Sequence, residues 1–137
     1  MESITITANI QAPVEKVWKL WTTPEHIMKW NSASPDWHTP HATNDLQVGG
    51  KFTSRMEAKD GSFGFDFFGI YDRVELHRAI AYSLGDGRTV AVHFESSDGH
   101  TKVTETFDAE TENSVELQRQ GWQAILDNFK KYTEAHQ

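Results

Sequence analysis

Between Asp45 and Ala109 apolar and polar residues alternate in short runs, and after Asn113 this pattern gives way to a helical period that lasts about twenty residues. No other feature restricts the possible fold so strongly. Gly49-Gly50, Asp60-Gly61, Gly85-Asp86-Gly87 and Asp98-Gly99 punctuate the alternating region as turns. The linkers are too short for crossovers, so strands near 43–47, 50–58, 62–75, 79–84, 88–96 and 101–108 form an antiparallel meander. In the last segment Leu117, Gly121, Ile125, Phe129 and Tyr132, flanked by Trp122 and Leu126, make one broad apolar face. Asn113 is expected to cap this helix, with Glu116 completing a capping box.

The region before the meander adds one more strand and two short helices. Ile4, Ile6, Ala8 and Ile10 alternate with Ser3, Thr5, Thr7 and Asn9, the pattern of a half-buried strand. Pro13 and Glu15 mark a helix start, and Val14, Val17, Trp18 and Trp21 form its apolar stripe over about 13–21. Thr23-Pro24-Glu25 repeats the start signal for a second helix that buries Ile27, Met28 and Trp30. Asn31 to Asn44 holds Pro35 and Pro40 among Asp, Ser and Asn and reads as a long loop, of the kind that often forms a lid or rim.

This order is α+β: a seven-stranded antiparallel sheet that needs cover for one face, and only the C-terminal helix is long enough to provide it. A sheet of seven strands twists and curls around that helix. A curved sheet and a straight helix part at one end, and clefts of that kind take ligands. The chain has 137 residues and no internal repeat, so a single domain over 1–137 is expected.

Charge and composition remove several function classes. With 13 Lys+Arg against 20 Asp+Glu the net charge is −7, which repels nucleic acid and anionic lipid surfaces. No cysteine is present, so disulfides, thiolate metal sites and cysteine nucleophiles are excluded, and a reducing compartment is expected. The first ten residues lack the basic and apolar regions of a signal peptide, and no run reaches the length of a membrane helix. The expected location is cytoplasmic, without nucleic acid as a partner and without membrane insertion.

The sequence resembles the activator of heat-shock-protein-90 ATPase homologue-like family of the START-like (SRPBCC, polyketide cyclase) superfamily. The resemblance rests on Ala12-Pro13-Val14-Glu15-Lys16-Val17-Trp18, on Trp21-Thr22-Thr23-Pro24-Glu25-His26 leading to Trp30, and on Asp45-Leu46-Gln47-Val48-Gly49-Gly50-Lys51-Phe52. Arg55-Met56-Glu57-Ala58, Thr104-Glu105-Thr106-Phe107 and Gly121-Trp122-Gln123-Ala124-Ile125-Leu126-Asp127-Asn128-Phe129 extend it over essentially the whole chain. It implies a helix-grip (START-like) fold with two short helices after strand 1 and a deep cavity between sheet and terminal helix. It also implies kinship with lipid and hormone binders, cyclases and hydratases. Family members that act on the heat-shock chaperone do so as one domain of a larger protein.

Alternation across the sheet divides each strand into two sets of side chains. The more apolar set is expected to face the helix. It supplies cavity-wall candidates Met56, Phe65, Phe67, Val92 and Phe94, and polar candidates Ser54, Tyr71, Tyr82 and Glu105 to orient a ligand. An ionised Glu105 on that face costs several kcal/mol unless it is paired or takes up a proton; otherwise a bulge turns it outward or it lies at the open, wet end of the sheet. Trp30, Trp37 and His38 flank or lie on the long loop as rim candidates. Trp122 and Ile125 supply the helix side, beside the room left by Gly121, whereas Trp18 and Trp21 are assigned to core.

Arg55 and Glu57 are secondary candidates, either as an outward ion-pair cluster with Asp66 or, if inward, as anion-recognition groups. His41 joins His38 and Asp36 in a loosely spaced cluster without a third nitrogen or sulfur ligand, so no metal site is expected and no cofactor is implied. The leading expectation is the binding of a small apolar or amphipathic, hydrophobic molecule in the cavity. The alternatives are a cyclase, dehydratase or hydrolase that uses Glu105 as acid or base, and a module that interacts with a chaperone.

Overall fold

The computed structural model describes residues 2–136. In chain order the elements are β1 (Ser3–Ile10), α1 (Val14–Thr22), α2 (Pro24–Trp30), β2 (Trp37–Asn44), β3 (Lys51–Ala58), β4 (Gly64–Glu75), β5 (Ala79–Leu84), β6 (Thr89–Ser97), β7 (His100–Asp108) and α3 (Val115–Ala135). All seven strands join one antiparallel sheet in the order β1-β7-β6-β5-β4-β3-β2. The two strands that α1 and α2 connect therefore stand at opposite edges of the sheet.

Local chemistry accounts for most of these boundaries. Ile4, Ile6, Ala8 and Ile10 of β1 are buried and their neighbours exposed, as alternation requires. Pro13 caps α1 rather than opening it, and Thr23 ends α1 and caps α2 in an extended conformation (φ −90°, ψ 123°). Asp98 and Gly99, both with positive φ (48° and 82°), form the two-residue turn between β6 and β7.

Three expectations are corrected. The segment 37–44 is strand, not loop, and Asp45–Gly50 is turn rather than the strand expected near 43–47. β2 lies at the sheet edge with a register irregularity between His38 and His41, which is where Pro40 is tolerated, because its missing N–H faces no partner strand. Helix α3 is capped by Ser114, whose Oγ accepts from the Leu117 N–H at 3.1 Å; the Asn113 N–H is instead bound by Glu110 at 2.7 Å.

Helix α3 lies along β1 and shields that edge. Arg119 and Gln123 donate to the carbonyls of Thr5 (3.2 Å) and Thr7 (3.1 Å), Lys130 donates to that of Asn9, and Glu134 accepts from the Gln11 N–H at 2.9 Å. Steps of two residues along the strand thus meet polar side chains along the length of the helix, satisfying an edge that would otherwise invite a further strand. The packed core sits between α1, α3 and β1, β6 and β7, with Ile4, Val17, Val103, Phe107 and Phe129 at or near zero exposure. The helix makes no comparable approach to β3 or β4, and between them the molecule opens.

Candidate functional site

The opening is a pocket of about 330 Å³ between the concave face of the sheet and α3. Met56 on β3, Phe65, Phe67 and Tyr71 on β4, Tyr82 on β5 and Glu105 on β7 point into it from alternate strand positions, together with Ser54. Trp122 and Ile125 face them from α3, and Trp30 from α2. The residues expected from strand sorting and helix stripes thus lie, in the main, around one space.

Aromatic packing shapes it. Trp122 stacks on Phe107 with ring centroids 3.9 Å apart and planes 10° apart, and meets Phe67 edge-on at 6.2 Å. One side chain thereby links β7 to β4 across the cavity. Phe52 lies over Gly69, where an added Cβ would come within 2.8 Å of its ring, and reaches Tyr82 at 4.7 Å. Phe65 is 40% exposed and marks the mouth.

The polar groups on this wall divide by whether the protein satisfies them. The Tyr71 hydroxyl donates to Asn44 Oδ1 at 2.6 Å, and Asn44 donates to the Thr22 carbonyl at 2.7 Å. Arg88 is held by Asp86, with Nε 2.7 Å from Oδ2. Glu105, Tyr82 and Ser54 are 6%, 8% and 5% exposed, and among the described residues none of their side chains has a hydrogen-bond partner. Their oxygens are not sealed in packed protein, unlike Thr133 Oγ1, and open onto the pocket.

No bulge turns Glu105 outward. It pairs in regular register with Ile6 on β1 and Val92 on β6, both buried on the same face. Burial pushes its carboxyl up to about 8, so it carries a proton at neutral pH. Burial likewise raises the Tyr82 hydroxyl, with added contributions from Glu105 and Tyr71, and burial raises Tyr71.

Seven candidates lie elsewhere, three of them the secondary Arg55, Glu57 and His41. Val92 is fully buried, and Phe94 packs edge-on against Trp18 (5.3 Å) and Trp21 (5.9 Å) of α1; both are inward residues that belong to core, not wall. Trp37 and His38 line a separate surface groove with Lys29, Lys59, Asp127 and Lys131. Because residue 37 begins a strand, Trp37 is fixed beside Phe63 and Phe65, at 6.1 Å from each, instead of folding over the pocket.

Arg55 and Glu57 stand on the other face of β3. Arg55 Nε is 2.9 Å from Glu57, its guanidinium is 3.5 Å from Asp66, and His38 is 3.8 Å from Glu57, all at least partly exposed. The inward, anion-recognising reading of Arg55 is thereby set aside, since β3 alternation turns it away from the pocket. His41 is exposed on β2, opposite Arg55. Pocket residues outside the candidate set are Trp21, Ile27, Asn31, Thr43, Asn44, Phe52, Ile80, Arg88 and Leu126. Phe52 and Leu126 carried the right periodicity; Asn44 and Arg88 enter from strand ends, where periodicity carries no information.

Residues 11–134 match the family described as Activator of Hsp90 ATPase homolog 1-like protein. The AHSA1-like protein from Aeromonas hydrophila is 50% identical with a TM-score of 0.92, over 98% of this chain and 94% of that one. A protein of Cytophaga hutchinsonii is 52% identical with a TM-score of 0.85, over 98% and 93%. A protein of Nitrosomonas europaea shares the fold at 19% identity, with a TM-score of 0.83 over 98% and 95%. No curated protein matches the sequence.

Proposed function

We propose, from the premise that this chain belongs to the Activator of Hsp90 ATPase homolog 1-like family and has its START-like fold, that it binds a small apolar or amphipathic molecule between the sheet and α3. One observation carries the reading. Glu105, Tyr82 and Ser54 present unpartnered polar atoms to a pocket otherwise walled by aromatic and aliphatic side chains. Buried polar groups left without partners destabilise a protein, and a few of them in an apolar recess are the usual means of orienting a ligand. The volume of about 330 Å³ lies at the lower end of the range for small-molecule sites.

The test is twofold. Native mass spectrometry of protein taken directly from cells should show a bound mass that denaturation releases. A panel of apolar and amphipathic compounds should raise the melting temperature by mass action, and Ser54→Phe, which fills the pocket, should abolish the shift for the same compounds. If the panel raises the melting temperature of wild type and the filled variant equally, binding is elsewhere and the reading falls.

The protonated carboxyl of Glu105 also favours a second reading, catalysis on the bound molecule. A buried acid that titrates near neutral pH is suited to general acid or base work in a cyclase, dehydratase or hydrolase. In that case Glu105→Gln retains binding and loses turnover; unchanged turnover sinks it. No described helix is long and apolar enough to cross a membrane, and the cysteine-free sequence fits action in the cytoplasm.

A further inference from the structure

We propose, resting on the ligand-binding reading above, that the pocket selects an uncharged molecule bearing a carbonyl or similar acceptor oxygen, which receives hydrogen bonds from the Glu105 carboxyl and the Tyr82 hydroxyl. Both side chains are more than nine-tenths buried, both line the pocket, and neither has a partner among the described residues. They stand on the same face of the sheet with β6 between their strands, Tyr82 opposite Val90 and Glu105 opposite Val92, and both line the same pocket.

Everything packed around Glu105 bears on its charge. β1 and β6 place Ile6 and Val92 directly opposite it. From the helices the pocket receives Trp21, Ile27, Trp30, Trp122, Ile125 and Leu126, none of them titratable. Of the tyrosines, Tyr71 is committed to Asn44, and the guanidinium of Arg88 is committed to Asp86. No cation among the described residues therefore faces Glu105 unpaired, and burial is what keeps its proton in place.

A carboxylic acid and a phenol with free O–H groups offer two donors to one neighbourhood, and their complement is an acceptor. A carboxylate ligand finds no counter-charge at that position and carries its own desolvation cost. An amine fits only by removing the Glu105 proton to make a buried ion pair. The pocket's polar corner thus discriminates by protonation state as well as by shape.

The test uses three probes with one ring system: 2-acetylnaphthalene, 2-naphthoate and 2-(aminomethyl)naphthalene, titrated by calorimetry into wild type, Glu105→Gln and Glu105→Leu. Near pH 6.5 the ketone is expected to bind wild type at least about tenfold more tightly than either charged probe, as loss of a buried hydrogen-bond partner implies. Its affinity should fall about tenfold by about pH 9, since only the protonated fraction is competent. Glu105→Gln, which keeps an N–H donor, should bind the ketone without that pH dependence, and Glu105→Leu should lose the preference for it. Equal, pH-independent binding of all three probes to wild type overturns this proposal and leaves the pocket reading standing. Tighter binding of the amine as pH rises also overturns it, making Glu105 a counter-ion. Failure of all three to bind at millimolar concentration overturns both readings.

Discussion

Replacing Glu105 by Gln should make the protein more stable, and by an amount that depends on pH. The carboxyl stands at about 8 in the folded protein against 4.5 when freely solvated, because burial disfavours its charged form. Above about pH 4.5 the unfolded chain has released this proton and the folded chain still holds it, so each further pH unit lowers stability by about 1.4 kcal/mol. The contribution is thus most favourable at low pH, is lost progressively as pH rises toward about 8, and is flat beyond. By pH 7 the accumulated loss is about 3 kcal/mol, equivalent to roughly 10 °C in melting temperature for a chain of this size. Gln has nearly the same shape, keeps hydrogen-bonding atoms in the pocket and has no proton to lose in this range. Urea titrations followed by tryptophan fluorescence at about pH 5, 6, 7 and 8 should therefore show the variant's advantage growing steadily. A difference between the two proteins that is the same at every pH refutes the reasoning, because Glu105 would then not hold a buried proton.

The other predictions concern packing and caps. Gly121 lies inside α3, and a Cβ there meets nothing within 4 Å, so Gly121→Ala should stabilise by about 1 kcal/mol in urea melts through helix propensity alone. Ser114→Ala should cost about 1 kcal/mol by removing the bond to the Leu117 N–H, whereas Asn113→Ala, whose side chain does not cap the helix, should stay within about 0.5 kcal/mol of wild type. Phe129 is fully buried with Trp21 and Trp30 each 4.8 Å away. Phe129→Ala should cost about 3–5 kcal/mol and red-shift tryptophan emission, since both indoles also border the pocket.

Much of the site is legible in the sequence because side-chain direction in a regular strand follows from position. Once Phe65, Phe67 and Tyr71 share a face, the hairpin register carries Ser54 and Met56 onto the same side. Glu105 follows Val103 and precedes Phe107 on an equally regular strand, so its inward direction is readable from alternation; helical period likewise brings Trp122, Ile125, Leu126 and Phe129 inward on α3, whereas Leu117, expected on the same face, is exposed. The loop expected over 31–44 fails from residue 37 onward because Pro35 and Pro40, set among turn-forming residues, imitate a loop, and only the position of β2 at an edge makes Pro40 compatible with pairing.

By itself the sequence determined the antiparallel meander from β3 onward, the buried face of β1 and the closing helix, which follow from hydrophobic period and turn chemistry along the chain. Which inward residues are core and which are wall was decided only by tertiary packing. Val92 and Phe94 have the same alternation as Tyr82, yet α1 brings Trp18 and Trp21 down onto Phe94, while α3, bound along the β1 edge, leaves the β3–β5 side uncovered. The charge of Glu105 was decided the same way. A carboxyl holds its proton at neutral pH when burial disfavours its charged form and no cation compensates, and those surroundings come from β1, β6, α2 and α3 together, far apart in the chain.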